Sequence, residues 1–333
     1  MSSQWWYAKP DFSDNNFSKL ALPTDVHFSD DQRFFRDAQK LRITVEGAWV
    51  ADDMDKGFRR DNDLVIATKF RIGKKPPVSK LHYYKRNCPA EHWENVVFHP
   101  EVYATEDFRE STGEIGLQLF VYDEDGLRPS EQEKMASAIT AGTSAAAIAF
   151  PAIAPYAGLA SGIINSLTTV VSKLDEHDQI VNAKIKLAVN RPDNQGFDHL
   201  QPGFLICFNG AVSASNLVLG EDKKLYYKDG SKYKHYQHRS YAVLRVDRAG
   251  TMAPDFERNQ KLATLLTEIE NGKNGGAKSA LNFLEETMES YQNFKRLQRY
   301  TELKTKQSKS DEETQLQSEL ESDPALAPFI QSS

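Results

Sequence analysis

From Ala136 to Ser172 the sequence runs without one charged side chain, in a 333-residue chain that is otherwise 26% charged. Such a run has to be covered by a core, a partner or a bilayer, because apolar surface left in water costs about 25 cal/mol per Å2. Pro151 and Pro155 divide it, and a proline inside a helix removes a backbone donor and clashes with the preceding turn. The spacing therefore predicts two helices. The first, over 130–150, opens on Ser130 with Glu131 and Glu133 behind it, a capping oxygen followed by acids at the positive helix start. The second, over 156–174, repeats Tyr156, Leu159, Ile163, Leu167, Val170, Val171 and Leu174 at spacings of three and four. Gly158, Gly162 and Ser166 form a small-residue row on a neighbouring face, which lets another helix approach closely.

A membrane-spanning helix needs about 20 predominantly apolar residues, and Ala, Gly, Ser and Thr dilute both halves. Three readings follow: a soluble α-hairpin covering a sheet, a hairpin that leaves that place for a bilayer or an oligomer, and a transmembrane anchor. In the second, Ile148, Phe150, Ile153, Tyr156, Leu159, Ile163, Leu167 and Val171 are the contact residues. A net charge of −6 carries no bias toward nucleic acid. Cys88 and Cys207 are too few for a disulfide framework, which points to a reducing, cytoplasmic or peripheral-membrane location. The opening residues show no charged start followed by an apolar run, so no secretory signal is expected. A protein exported without a cleaved signal would share that pattern.

Residues 1–40 scatter Trp5, Trp6, Tyr7, Phe12, Phe17, Phe28, Phe34 and Phe35 among polar residues. They are expected to form an extended arm whose aromatics peg it to the main domain, with Trp5-Trp6-Tyr7 at a membrane interface as the alternative. From Leu41 the pattern turns to strands: 41–48, 64–72, 81–85, 93–98 and 115–125, with an acidic stretch, Asp52 to Asp63, after the first. Further strands are expected over 184–189, 203–208, 215–219, 224–227 and 241–246.

Two of these segments carry a resemblance. Met54-Asp55-Lys56-Gly57-Phe58 leads to Asp61 and Asp63 and then to a strand; Val121-Tyr122-Asp123-Glu124-Asp125 ends another; Asp178-Gln179-Ile180 precedes a third. The combination resembles a C2 domain, the calcium- and lipid-binding β-sandwich. The resemblance implies an α+β chain built on an antiparallel β-sandwich over 41–250, with the uncharged hairpin, 127–177, inserted in the loop after Asp125. It also implies Ca2+ held by Asp55, Asp61, Asp63, Asp123, Asp125 and Asp178. On the residues alone, hard cations want six to eight oxygen ligands that converging aspartates could supply, while five acids in one loop also describe a solvated rim.

Lys228, Lys232, Lys234, His235, His238 and Arg239 interleave with Tyr227, Tyr233 and Tyr236. Such a loop suits anionic lipid head groups, with Lys232, Lys234, His235 and Arg239 as the candidates, and it also suits an ordinary hairpin tip. C-terminal amphipathic helices are expected over 251–307, the second carrying Leu281, Leu284, Met288, Tyr291, Phe294 and Leu297. An acidic, disordered tail is expected over 308–333. No Gly-x-Ser-x-Gly, P-loop, His-Glu-x-x-His or paired Cys-x-x-Cys is present. The expectation is a non-enzymatic protein whose partners are membrane lipids or further copies of itself.

Overall fold

The computed structural model describes residues 3–12, 16–22, 35–51, 61–73, 78–97, 100–123, 179–189, 198–249, 293–294 and 296–330. They are mostly antiparallel β-sheet, with a few helices at the C-terminal end. The strands are β1 (Ser3–Ala8), β2 (Phe17–Ala21), β3 (Leu41–Val50), β4 (Asp61–Ile72), β5 (Val78–Pro89), β6 (His92–Asn95) and β7 (Glu101–Thr105). They continue with β8 (Glu114–Asp123), β9 (Gln179–Ala188), β10 (Gly203–Val212), β11 (Leu217–Gly220), β12 (Leu225–Asp229), β13 (Lys232–His235) and β14 (Tyr241–Asp247). One sheet runs in the order β5-β4-β8-β9. The other has ten strands, in the order β13-β12-β11-β2-β1-β10-β14-β3-β6, with β7 paired to the opposite half of β3.

Side-chain alternation explains how the ten-stranded sheet is covered on both faces. On β1, Trp5 and Tyr7 point into one hydrophobic cluster and Trp6 and Ala8 into another; on β10, Leu205 and Cys207 separate in the same way from Phe204, Ile206 and Phe208. The first cluster also takes Leu64, Ile66, Leu117, Leu119, Val121, Val181 and Ile185 from the four-stranded sheet, so the two sheets share it. The second cluster is closed by the sheet itself. His235 on β13 lies against Trp49 on β3, ring centroids 4.4 Å apart, and the Leu225 amide on β12 donates to Tyr241 Oη on β14 at 2.8 Å. The β11–β13 end therefore curls back over the outer face of β14 and β3.

The described part of residues 1–40 does not form an arm; Phe28 and Phe34 lie outside the described residues. β1 is an interior strand between β2 and β10, and Trp5, Trp6 and Tyr7 are all buried. Their aromatic rings do peg the segment down, but through two cores at once and with a backbone ladder between them. Gln4 adds a tie to the second sheet: its Nε2 donates to Asn182 O at 2.5 Å and its Oε1 accepts from the Lys184 amide at 3.4 Å.

The C-terminal end also departs from expectation. Residues 296–305 form helix α1, Asp311–Glu321 form α2, and Ala327–Ile330 form a short turn of helix, α3. The stretch expected to be disordered is thus largely helical, for local and tertiary reasons. Ser310 caps α2 by accepting from the Glu313 amide while Glu313 Oε2 accepts from the Ser310 amide, a reciprocal box that satisfies two otherwise unpartnered donors. Leu316, Leu320 and Leu326 then bury against Tyr300, Leu303 and Ala38 in a small core of their own. Arg299, between Asp107 and Glu313, ties this unit to the segment after β7. Of the apolar stripe expected on the preceding helix, Phe294 is exposed and Leu297 half-buried; Leu281, Leu284, Met288 and Tyr291 lie outside the described residues.

Candidate functional site

Strand register gathers several connections at one end of the protein. Tyr122 and Gln179 are direct antiparallel partners, so residues 124–178 depart from and return to adjacent strand ends. Leu64 pairs with Asp123, which places the start of β4 beside them. Asn209 Nδ2 on β10 donates to Gln179 O at 2.8 Å, joining this end of the four-stranded sheet to that of the ten-stranded one. There Phe208 pairs with Tyr241 and Tyr241 with Trp49, and the Ala51 amide, just past β3, donates to Ser240 Oγ at 2.8 Å. Both acid-bearing connections, 52–60 and 124–178, therefore spring from the same end as the β13–β14 connection.

The six candidate calcium ligands divide. Asp55, Asp125 and Asp178 lie outside the described residues, and Asp61 is placed by its backbone opposite Pro89. Asp63 and Asp123 are brought together, but in a network of protein donors. Asp123, buried, accepts from the Asp63 amide through Oδ1 at 2.6 Å. Asp63 accepts from the Asn87 amide through Oδ1 at 3.1 Å and faces Arg86 Nε through Oδ2 at 3.6 Å. A guanidinium that close competes with a cation for the same oxygen. Among the described residues no group of three or more His, Cys, Asp or Glu side chains is placed to hold a metal ion.

The head-group candidates divide as well. Lys232, Lys234 and Arg239 are exposed, as are Lys228 and His238. Lys234 Nζ pairs with Asp229 Oδ2 at 2.5 Å across the hairpin, both side chains more than half exposed, so the contact contributes little to stability. His235 points the other way. Its ring packs on Trp49 and Tyr226, its Nε2 is buried without a hydrogen-bond partner, and burial holds its pKa below the ordinary 6.5. Half-buried, it lies against Trp49 of the second core while its basic neighbours Lys234, His238 and Arg239 are exposed. Every hairpin contact candidate, Ile148, Phe150, Ile153, Tyr156, Leu159, Ile163, Leu167 and Val171, lies outside the described residues. Among the described residues no helix is long and apolar enough to cross a membrane.

One polar cluster escaped the sequence reading. Glu94 on β6 is buried, accepts from Tyr83 Oη and from Lys85 Nζ at 2.7 Å, both on β5, and has His92 Nε2 at 3.7 Å. Burial opposes its ionisation, but the bonds from Lys85 and Tyr83 outweigh that and its pKa lies below the usual carboxylate value. Cys88, on the same strand, is fully buried and its pKa is pushed up to about 12, chiefly by burial. A thiol so held is a core side chain and no nucleophile at neutral pH. The spacing Tyr83, Lys85 was a signal that both side chains leave one face of β5, but nothing in sequence named Glu94 as their partner. In comparisons with known proteins, no family model, no curated protein and no solved structure matches the chain.

Proposed function

We propose that this is a non-enzymatic, membrane-surface-binding protein: a C2-like β-sandwich whose loop end carries an uncharged helical insertion that docks on or enters the bilayer. The observation that carries the reading is the pairing of Tyr122 with Gln179. It puts the two ends of 124–178 at neighbouring strand ends, which is what an insertion that moves without unpicking a sheet requires. The exposed cations Lys232, Lys234 and Arg239 supply the attraction to anionic lipid, at about 1 kcal/mol per basic residue near the surface. Helices satisfy their own backbone hydrogen bonds in a bilayer, and the lack of charge between Ala136 and Ser172 permits entry. Pore formation by neighbouring copies packing through Gly158, Gly162 and Ser166 is the strongest form of the proposal.

The test replaces 124–178 by Asn-Gly, a two-residue turn suited to an antiparallel pair. Flotation with anionic vesicles, with and without calcium, and dye release should both be lost in that variant while the strand signal in circular dichroism is kept. Calcium dependence would come from Asp55, Asp61, Asp63, Asp123, Asp125 and Asp178, and variants of Asp55, Asp61, Asp125 and Asp178 separate it from the Asp63–Asp123 contact that the fold uses. A second reading, a soluble protein that self-associates through the same insertion and the C-terminal helices, is favoured if the parent never floats but is larger in solution than its Asn-Gly variant.

A further inference from the structure

The contact between β13 and β3 has a chemistry that the core does not need. His235 and Trp49 meet edge to face at 4.4 Å, and each contributes a buried nitrogen, His235 Nε2 and Trp49 Nε1, that has no hydrogen-bond partner. Interiors rarely leave buried polar atoms unsatisfied. An aromatic ring would fill the same space without that penalty. What a histidine adds is the ability to change charge between about pH 5 and 8.

We propose that His235 is an acid-sensitive latch, whose protonation releases the curled β12–β13 hairpin from the outer face of β3 and β14. The proposal rests on the membrane-binding reading for its purpose, not for its mechanism. With Nε2 protonated, a charged donor would be buried in a half-buried ring against Trp49, whose own buried nitrogen is also a donor and cannot accept from it. The groups around it do not compensate. On β12, Tyr226 presents a ring at 5.6 Å, and its hydroxyl donates to Asp222 Oδ2 at 2.8 Å. Of the charges in the turn before β12, Lys224 opposes protonation of His235 more strongly than Asp222 favours it. Burial is the leading reason that the imidazole stays neutral. The sign follows: a base whose folded pKa is depressed contributes stability in full above its ordinary pKa of 6.5, and that stability is lost as pH falls below it. Release would uncover Trp49, Trp93, Tyr241 and Phe208 next to the exposed Lys232, Lys234 and Arg239, an apolar face rimmed by cations.

The test begins without lipid. On acidification from about pH 7.5 to 5, across the histidine range, the protein should bind an apolar dye several-fold more and its tryptophan emission should shift reversibly to the red. His235→Phe should be flat over that range, while His82→Gln and His199→Gln, at the other buried or half-buried histidines, keep the transition. If His235→Phe does not fold, an NMR titration of the parent decides: His235 should titrate below 6.5, and a value at or above 6.5 overturns the latch. So does a transition that persists in His235→Phe, or one absent from the parent. Flotation with anionic vesicles at both pH values is read separately. A lipid-free transition without flotation at either pH removes the membrane reading alone; flotation at neutral pH with no lipid-free transition removes the latch alone.

Discussion

Tyr83 Oη donates to Glu94 Oε2 at 2.5 Å, a bond that runs from the edge strand of the four-stranded sheet to the edge of the ten-stranded one. With Lys85 on the other carboxylate oxygen, Glu94 is the polar rivet along a rim where no backbone ladder joins the sheets.

Glu94→Ala should therefore destabilise the protein by about 2–3 kcal/mol, because it leaves a half-buried hydroxyl without its acceptor and an ammonium without its counter-charge. Urea unfolding at pH 7 measures it. The depressed pKa of Glu94 means that its contribution is complete above the unfolded carboxylate value of about 4.3 and is lost as pH falls below it. The difference in stability between parent and variant should accordingly shrink toward pH 3.

Asp123 is needed by the fold whether or not calcium binds nearby. Asp123→Ala removes the acceptor of the Asp63 amide and should cost about 1–3 kcal/mol in metal-free buffer. Asp123→Asn keeps an oxygen at that position and should cost less. Equal stability of parent and alanine variant in the presence of a chelator would show that the Asp63 amide does not depend on this carboxylate.

The C-terminal unit should behave as folded structure. Ser310→Ala removes the α2 cap at a cost of about 1 kcal/mol. Leu316→Asp places a charge among Tyr300, Leu303 and Leu320 and should detach α2 altogether. Limited proteolysis reads both: cleavage after residue 305 should be slow in the parent, faster in Ser310→Ala and fastest in Leu316→Asp. Rapid cleavage of the parent would mean that the helix is not held.

What was legible in the sequence follows from how each strand is covered. β8 alternates Ile115, Leu117 and Leu119 with Gly116 and Gln118, and β10 opens on a continuous apolar run, Gly203 to Phe208; both patterns announce strands. β1 announced nothing, because Trp5, Trp6 and Tyr7 serve two cores from opposite faces and so remove the alternation that marks a strand with one wet side. The Lys-Tyr-Lys-His of β13 did alternate, but its charges drew attention outward and concealed the inward role of His235. In the tail, the acids around Ser310 outweighed the capping box and the Leu316, Leu320 pair that specify α2. The meeting of Asp63 with Asp123 was anticipated, yet the amides and the guanidinium that claim their oxygens come from a register no local pattern reveals.

The place of β1 also sets an order of events during synthesis. Trp6 pairs with Ile206, and β2, which flanks β1 on its other side, pairs with β11. β1 precedes β10 by about 200 residues, so its ladder to β10 cannot close until the chain has been translated past residue 212. Until then Trp5, Trp6 and Tyr7 are an unprotected apolar patch on a nascent chain, and the ten-stranded sheet has no interior. Contacts of such long sequence separation fold slowly and expose aggregation-prone surface while they wait. A chain shortened before β10 lacks the longer of the two ladders that hold β1, and Trp5, Trp6 and Tyr7 lose the strand they pack beside.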